Sequence, residues 1–369
     1  MIGGMTLPTP LAWLIDEAAA MPGPDRLLAG LGARLAADGL PLAGGALTLA
    51  VPHPIIARRT WLWRAETGAV IEALGFAGGI FAAPNSVPPG QAGRDWLAGL
   101  GAGPVHEDVA GPAPDGPVLG WIGTRPLDSG DIARLREAAR FAAAPLAALA
   151  ARATLTALLE AYLGRRSAAR VQAGALRRDA GETIRAVLVY ADLRDFTALS
   201  EATEASGVIA ALDAWFDRIA GAVHAFGGEV LKFIGDGILA IFPVTGPVTG
   251  TAREACDAAL RAVAAARAGM AHLDTARRAQ GLRPLPFGAA LHLGEMLWGN
   301  IGAADRLDFT AIGPAVNLVS RLEGLCRPLG RPVLVSGAVA AETTATLVPL
   351  GEHALRGIAT PCPVFTVPD

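Results

Sequence analysis

The sequence predicts an α+β protein with two domains joined by a helical segment. At 369 residues and 37.6 kDa, the chain is long enough for two domains that each bury a core. Its C-terminal half carries a strand, a helix start and a hairpin in succession, whereas its N-terminal half carries a helix, strands, loops and another helix. We therefore predict domains over residues 1–150 and 186–369, with a helical linker over 151–185.

Composition and charge argue against several classes of partner. The formal net charge is -3 and the basic residues are spread along the chain, so a nucleic-acid partner is not expected. Cys256, Cys326 and Cys362 lie far apart, which predicts neither a disulfide framework nor a zinc site and fits a reducing compartment. Asp16 and Glu17 lie in an N-terminus without a basic region, so no signal peptide is predicted. We expect a cytoplasmic protein without a membrane partner.

The N-terminal half is predicted to form a small sheet framed by helices. Its first helix has leucines at helical spacing, with Pro24 placed to open it and Gly39 to close it. The Gly- and Pro-rich stretch over residues 65–117 predicts turns and loops, and Pro145 predicts an interruption of the last helix. The predicted elements are a helix over 24–38, strands over 46–51, 60–64 and 118–124, and a helix whose N-cap is Asp128 or Ser129.

This order of elements resembles that of a GAF-type sensor module. The resemblance implies a GAF-like α/β sensory or regulatory domain with a small-molecule ligand, whereas an unrelated α+β dimerisation domain is the alternative. The tryptophans of this half are candidates for lining a ligand pocket, although such residues more often fill a core. They are Trp61, Trp63, Trp96 and Trp121.

The segment between the two halves has a helical pattern. Leucines and Tyr162 recur at helical spacing after residue 154, and the chain turns polar beyond Gly164. A helix that leaves one dimeric domain and enters another would form a two-stranded coil able to carry rotation between them. A passive linker helix is the alternative.

A hairpin is the most informative stretch of the C-terminal half. Apolar runs over residues 230–234 and 238–242 flank the turn Gly235-Asp236-Gly237, which is a strong hairpin signal. By itself, the pattern would let Asp236 merely shape the turn and Lys232 merely solvate a strand face. Two further segments change that interpretation.

Those segments lie on either side of the hairpin. An apolar strand over residues 187–190 runs into Asp192, and the downstream segment PAVNLVSRLEGL is predicted to be a helix with Pro314 in its first turn. Asn317 and Arg321 lie four residues apart, so they share one face of that helix. On an ordinary surface helix they would be a solvated pair.

Together the three segments resemble the catalytic domain of class III nucleotidyl cyclases, whose motifs have the forms F-x-D-I-x-G-F-T, K-x-x-G-D and G-x-x-V-N-x-x-x-R. The motifs occur here in the same order, and the resemblance covers residues 186–369. It implies a ferredoxin-like α+β fold and an adenylyl cyclase activity that converts ATP to 3′,5′-cyclic AMP and pyrophosphate. The first motif departs from the family at Asp195, where Gly is common, and we expect that side chain to cap the following helix. A third carboxylate near the metal site that alters metal preference is the alternative.

The resemblance implies a metal site at Asp192 and Asp236, assisted by the carbonyl of Leu193. Carboxylates are hard ligands that suit Mg²⁺ or Mn²⁺, and the family binds two such ions per site. In a β-α-β-β-α-β arrangement the end of the first strand and the tip of the hairpin are adjacent, so we expect the two carboxylates to lie together.

The same resemblance assigns roles to the remaining site residues. Arg321 would neutralise charge on the α-phosphate in the transition state, and Asn317 would position the ribose. Arg356 replaces the Lys that contacts the phosphates in the family and keeps its charge. No histidine falls in a motif, so no general base is assigned.

Lys232 and Thr310 fall on the two base-reading positions of the family. Adenine presents an acceptor at N1 and a donor at its 6-amino group, so a Lys donor and a hydroxyl acceptor match it, whereas guanine presents the reverse pattern. This favours ATP, with a guanylyl cyclase and a catalytically silent nucleotide-sensing dimerisation module as alternatives. The resemblance also implies a homodimer whose two sites each draw residues from both chains.

Overall fold

A computed structural model describes residues 7–50, 56–76, 91–111, 116–174, 181–245, 250–303 and 306–368. The chain divides into two compact units, Met1–Leu158 and Leu159–Asp369. Each unit has its own sheet and its own buried apolar clusters. The functional boundaries at residues 150 and 186 stay predictions.

The N-terminal unit is built on a five-stranded sheet with neighbours paired antiparallel. Its elements are α1 (Thr9–Asp16), a 3₁₀ turn (Ala18–Ala20), α2 (Pro24–Ala37), β1 (Leu42–Ala50), β2 (Ile56–Arg64), β3 (Val70–Phe76), α3 (Gln91–Ala98), β4 (Ala102–Val109), β5 (Val118–Gly123) and the start of α4 (Ser129–Leu163). The strand order is β3-β2-β1-β5-β4. One face of the sheet packs against α1, α2 and α4, and α3 covers the other.

Several local predictions for this unit are confirmed. The helix over residues 24–38 is α2. Asp128 is the N-cap of α4, because its Oδ1 accepts hydrogen bonds of 2.9 Å from the backbone N–H groups of Gly130 and Asp131. The α4 helix nevertheless continues through Pro145, so the predicted interruption was wrong. Pro145, Leu146 and Leu149 are buried, and this packing holds the helix together despite the missing backbone donor.

The interpretation of residues 65–117 as loops was wrong where β3, α3 and β4 lie, whereas residues 77–90 and 112–115 lie outside the described residues. β3 pairs with β2 and β4 pairs with β5, so pairing within the sheet outweighs the local Gly and Pro content. Trp61, Trp63 and Trp121 are buried in the core, with the rings of the last two in edge contact at 6.4 Å. These tryptophans therefore fill the core.

The predicted helical linker over 151–185 is helical only in part. α4 ends at Leu163, Gly164 takes a positive φ of 78°, and α5 (Arg165–Gln172) follows. Residues 181–185 are strand, because they pair with a neighbouring strand of the second unit. α4 is also long and apolar enough to cross a membrane by length and composition, a test that core helices pass as well.

The C-terminal unit contains the predicted β-α-β-β-α-β succession. Its elements after α5 are β6 (Gly181–Leu193), α6 (Phe196–Glu201), α7 (Ala205–Ala225), β7 (Glu229–Ile234), β8 (Gly237–Pro243), α8 (Ala252–Ala279), β9 (Phe287–Gly302), β10 (Leu307–Ile312), α9 (Pro314–Glu323), β11 (Val333–Ser336), α10 (Gly337–Ala340), β12 (Val348–His353) and β13 (Cys362–Thr366). The sheet order is β12-β13-β11-β9-β6-β8-β7, and β10 pairs with β9. β6, α7, β7, β8, α8 and β9 form the ferredoxin-like core.

The central strand β6 is buried on both faces, which explains its continuous apolar run. Val187, Val189 and Ala191 belong to the cluster that includes α7 and α8. Ala186 and Leu188 belong to the cluster that includes α9. Because side chains alternate along a strand, the even-numbered residues at the end of β6 continue the face that α9 covers.

Candidate active site

The structure brings together the two predicted metal ligands. Asp192 lies at the end of β6, and Asp236 lies in the turn between β7 and β8, the strand that pairs with β6. A Cβ atom placed on Gly237 would lie 3.2 Å from Asp192 Oδ1 and 2.6 Å from the Tyr190 hydroxyl oxygen. The Asp192 carboxylate therefore lies over the glycine that follows Asp236, and a larger residue at position 237 would crowd it.

The two carboxyl groups are coupled electrostatically. Burial, the negative charges of Asp236 and Glu323 and a hydrogen bond with Asp236 raise the pKa of Asp192 to about 7, although Arg194 opposes the shift. A divalent cation would relieve this repulsion, so the donor set fits Mg²⁺ or Mn²⁺. Within the described ranges, no group of three or more His, Cys, Asp or Glu side chains is placed to hold a metal. Leu193, whose carbonyl is the third predicted ligand, is the last residue of β6.

A tryptophan fixes the tip of the hairpin. Trp215 of α7 is fully buried and donates a hydrogen bond of 2.9 Å from Nε1 to the carbonyl oxygen of Asp236. Its ring also packs on Phe287 at a centroid distance of 4.9 Å. Sequence reasoning missed this residue, because a tryptophan on an amphipathic helix indicates only a core position.

Asn317 and Arg321 lie on the predicted helix, α9, with Pro314 at its first position. Both side chains are exposed, while Val319 and Leu322 are buried beneath them. Their shared face is thus presented to solvent. In the described part of the chain, no hydrogen bond or ion pair joins either residue to Asp192 or Asp236 of the same chain.

The structure brings Lys232 of β7 to β10, the strand that carries Thr310. The Lys232 ammonium donates a hydrogen bond to the carboxylate of Asp308. Asp308 and Thr310 share one face of β10, because Phe309 between them is buried on the other. Sequence reasoning missed Asp308, although its period-two relation to Thr310 was a usable signal.

Arg356 makes no hydrogen bond or ion pair with another predicted site residue in the part of the chain that the structure describes. It is exposed and lies in the turn between β12 and β13, next to Gly357 with a φ of 80°. Its role therefore stays a prediction.

The region that contains these residues also matches a known protein family. Residues 180–359 match the family model of the adenylate and guanylate cyclase catalytic domain. The region is a class III cyclase catalytic domain.

Relatives of the cyclase domain are found among characterised enzymes and solved structures. Adenylate cyclase 1 of Rhizobium meliloti is 34% identical over 181 residues, which cover 48% of this chain and 27% of the relative. The adenylate cyclase of Anabaena cylindrica is 31% identical over 164 residues, which cover 43% of this chain and 31% of the relative. A bacterial light-regulated adenylyl cyclase structure matches with a TM-score of 0.51 and 26% identity, covering 60% of this chain and 62% of that one. The chain thus spans less than a third of these two curated relatives.

Asp195 of the cyclase domain does not cap α6, so that expectation was wrong. The residue precedes α6 but makes no side-chain capping hydrogen bond, and its carboxylate instead lies 3.2 Å from Arg327 Nη1. Its φ of 54° lies in the left-handed region, which favours glycine and tolerates Asp. The backbone geometry therefore accounts for the family's usual glycine.

His292 of the cyclase domain is partly buried and contacts a neighbouring strand of the sheet. Its Nδ1 lies 2.9 Å from Ser336 Oγ, and burial lowers its pKa to about 4. A neutral imidazole bonded to a neighbouring strand suits a core position.

Proposed function

We propose that the chain is an adenylyl cyclase that converts ATP to 3′,5′-cyclic AMP and pyrophosphate. The observation that carries this proposal is the juxtaposition of the Asp192 and Asp236 carboxylates at the edge of a ferredoxin-like core. The adenylate cyclase relatives support the same activity.

Each site residue then has a physical task. Asp192, Asp236 and the Leu193 carbonyl would hold two Mg²⁺ or Mn²⁺ ions, which when bound activate the ribose 3′-hydroxyl and neutralise the triphosphate. Arg321 offsets the charge that develops on the α-phosphate, and Asn317 orients the ribose. Arg356 adds a positive charge toward the phosphates.

The direct test is product analysis. The purified full chain is incubated with ATP or GTP and with Mg²⁺ or Mn²⁺, and the cyclic products are separated by chromatography. We expect cyclic AMP to be the main product. Cyclic GMP as the main product would support a guanylyl cyclase instead, and the absence of both products would support a silent nucleotide-sensing module.

Base choice is expected to depend on Lys232 and Thr310. The ion pair with Asp308 supports this assignment, because it directs the Lys232 ammonium toward the strand of Thr310, and an ammonium has two further donors for N1 of adenine. We expect Lys232→Glu combined with Thr310→Cys to lower the ATP:GTP preference by about 10²-fold or more, since each mispaired buried group costs about 1–3 kcal/mol. The ratio of kcat/KM values measures this. An unchanged ratio would mean that these positions do not read the base.

We further propose a homodimer with shared sites, in which one chain provides the metal ligands and its partner provides Lys232, Thr310, Asn317 and Arg321. Within the described residues, no hydrogen bond or ion pair joins Asn317 or Arg321 to Asp192 or Asp236 of the same chain, and both side chains of the first pair are open to solvent, which supports the arrangement. The hairpin also presents large apolar side chains to solvent, with Phe233 50% and Ile234 47% exposed. Such a patch is typical of an interface.

The N-terminal unit is proposed to regulate the cyclase domain as a GAF-like sensor of a small molecule in the cytoplasm. Removal of residues 1–149 is expected to leave a folded cyclase domain, because the second unit has its own sheet and cores. We expect the rate per dimer to change by about fivefold or more, the size of an ordinary coupling between sites. Activity at equal protein concentration checks this. An equal rate would argue against regulation, and insoluble protein against independent folding.

A further inference from the structure

We propose that Arg194 and Glu323 form a positioning pair. It holds the metal-binding loop, residues 192–195, against α9, the helix that carries Asn317 and Arg321. The inference rests on the proposed function, since it concerns how that site is held. It assigns a role to two residues that do not themselves belong to the predicted site.

The pair is a buried contact between two functional segments. Arg194 Nη2 lies 3.0 Å from Glu323 Oε1, and the side chains are only 21% and 8% exposed. Arg194 follows Asp192 by two residues, and Glu323, the last residue of α9, follows Arg321 by two. One ion pair therefore connects the end of β6 to the end of α9.

Gly288 provides the space for this contact. It is the partner of Asp192 in the pairing of β6 with β9. A Cβ atom at position 288 would lie 1.9 Å from Arg194 Nη2 and 2.4 Å from Glu323 Oε1. The pair thus lies directly on the backbone beside Asp192, and a larger residue at position 288 would have to displace it.

The contact is held from the backbone side as well. The N–H of Arg194 donates a hydrogen bond of 2.7 Å to the carbonyl of Pro286, which fixes the start of the side chain. Glu323 Oε1 is buried and has no hydrogen-bond partner, so its contact with Arg194 is an ion pair without hydrogen-bond geometry. A buried carboxylate held in this way depends on the neighbouring positive charge.

Both charges act on Asp192, one of the two proposed metal ligands. Glu323 and Arg194 are among the charges that act on Asp192, with opposite signs. Loss of Glu323 would leave the Arg194 cation uncompensated beside the site, whereas loss of Arg194 would leave an extra anion there. The two losses should therefore change the affinity for a divalent cation in opposite directions, while both release the loop from α9.

The experiment measures Mn²⁺ binding and catalysis on the full chain. Free Mn²⁺ is titrated by electron paramagnetic resonance without nucleotide, and kcat is measured with ATP. We expect Glu323→Gln to weaken Mn²⁺ binding by about 10-fold and Arg194→Gln to strengthen it, whereas kcat falls by about 10-fold in both variants. The double variant should lose no more kcat than the worse single variant, because one contact is removed in all three.

Matched variants separate positioning from general damage. Arg327→Gln removes an exposed arginine paired with Asp195 and should leave both readouts unchanged. Arg194→Lys keeps the positive charge, so its Mn²⁺ affinity should lie closer to that of the wild-type chain than the affinity of Arg194→Gln does. Thermal unfolding of every variant identifies losses that arise from instability alone.

The outcomes distinguish this proposal from the function on which it rests. If the wild-type chain forms cyclic AMP but both variants keep its kcat and its Mn²⁺ affinity, the positioning role is overturned and the cyclase assignment stands. Affinity changes of the same sign in both variants would also overturn it. If the wild-type chain neither binds Mn²⁺ nor forms a cyclic nucleotide, both proposals fall.

Discussion

Asp192→Ala and Asp236→Ala are each expected to abolish metal-dependent formation of cyclic AMP, with a loss of about 10³-fold or more. Each change removes one of two carboxylates brought together at the ends of β6 and β7, and a bound cation contributes several kcal/mol of transition-state stabilisation. The fold should survive, because one residue ends a strand and the other lies in a turn. Initial rates over a range of Mn²⁺ concentrations, with circular dichroism of each variant, measure the effect.

A neighbouring aspartate provides the control for this prediction. Asp195→Gly removes a carboxylate whose ion pair, among the residues that the structure describes, is with the exposed Arg327. Glycine also suits the positive φ at that position, so the variant should keep near-normal activity. If Asp236→Ala retained comparable activity, Asp236 would be a turn residue and the two-carboxylate site would be wrong.

Mixing two inactive variants is expected to restore activity if the sites are shared. Asp192→Ala damages the metal-binding half of one site, and Arg321→Ala in the partner damages the other half of that same site. The second site of the heterodimer then has an intact residue from each chain. We expect up to about half of the wild-type activity per heterodimer, since one of two symmetric sites is complete. Cyclic AMP formation after confirmed subunit exchange measures the rescue.

The control mixture combines Asp192→Ala with Asp236→Ala chains. Both lesions lie in metal-binding halves, and in a heterodimer they fall in different sites, so no complete site forms. Rescue in this mixture would contradict the shared-site arrangement. Failure of the first mixture, with exchange verified, would contradict it as well.

Sequence patterns predicted the parts of the fold that local signals determine. The hairpin was predicted because a Gly-Asp-Gly turn between apolar runs specifies it, and β6 because a strand buried on both faces has a continuous apolar run. β3 and β4 were misassigned as loops because pairing with β2 and β5 holds them in place, and short segments contain no signal for a distant partner.

The candidate site shows the same division. The adjacency of Asp192 and Asp236 follows from the β-α-β-β-α-β topology that the resemblance implies, so the sequence predicts it. The Trp215 hydrogen bond to the Asp236 carbonyl and the Lys232–Asp308 pair depend on helix packing and strand register. Such tertiary contacts join residues that are far apart in the chain, so no local sequence pattern identifies them.

The β7–β8 hairpin determines how a substituted chain would affect an intact chain when the two form a dimer in the same cell. It carries Lys232 on its first strand and Asp236 at its tip. In the proposed shared-site dimer these two residues would serve different sites. A chain with both residues replaced would disable both sites of any dimer that it forms with an intact chain. The damaged copy would therefore act as a dominant inhibitor, whereas a copy lacking Asp192 and Asp236 would leave its intact partner one working site.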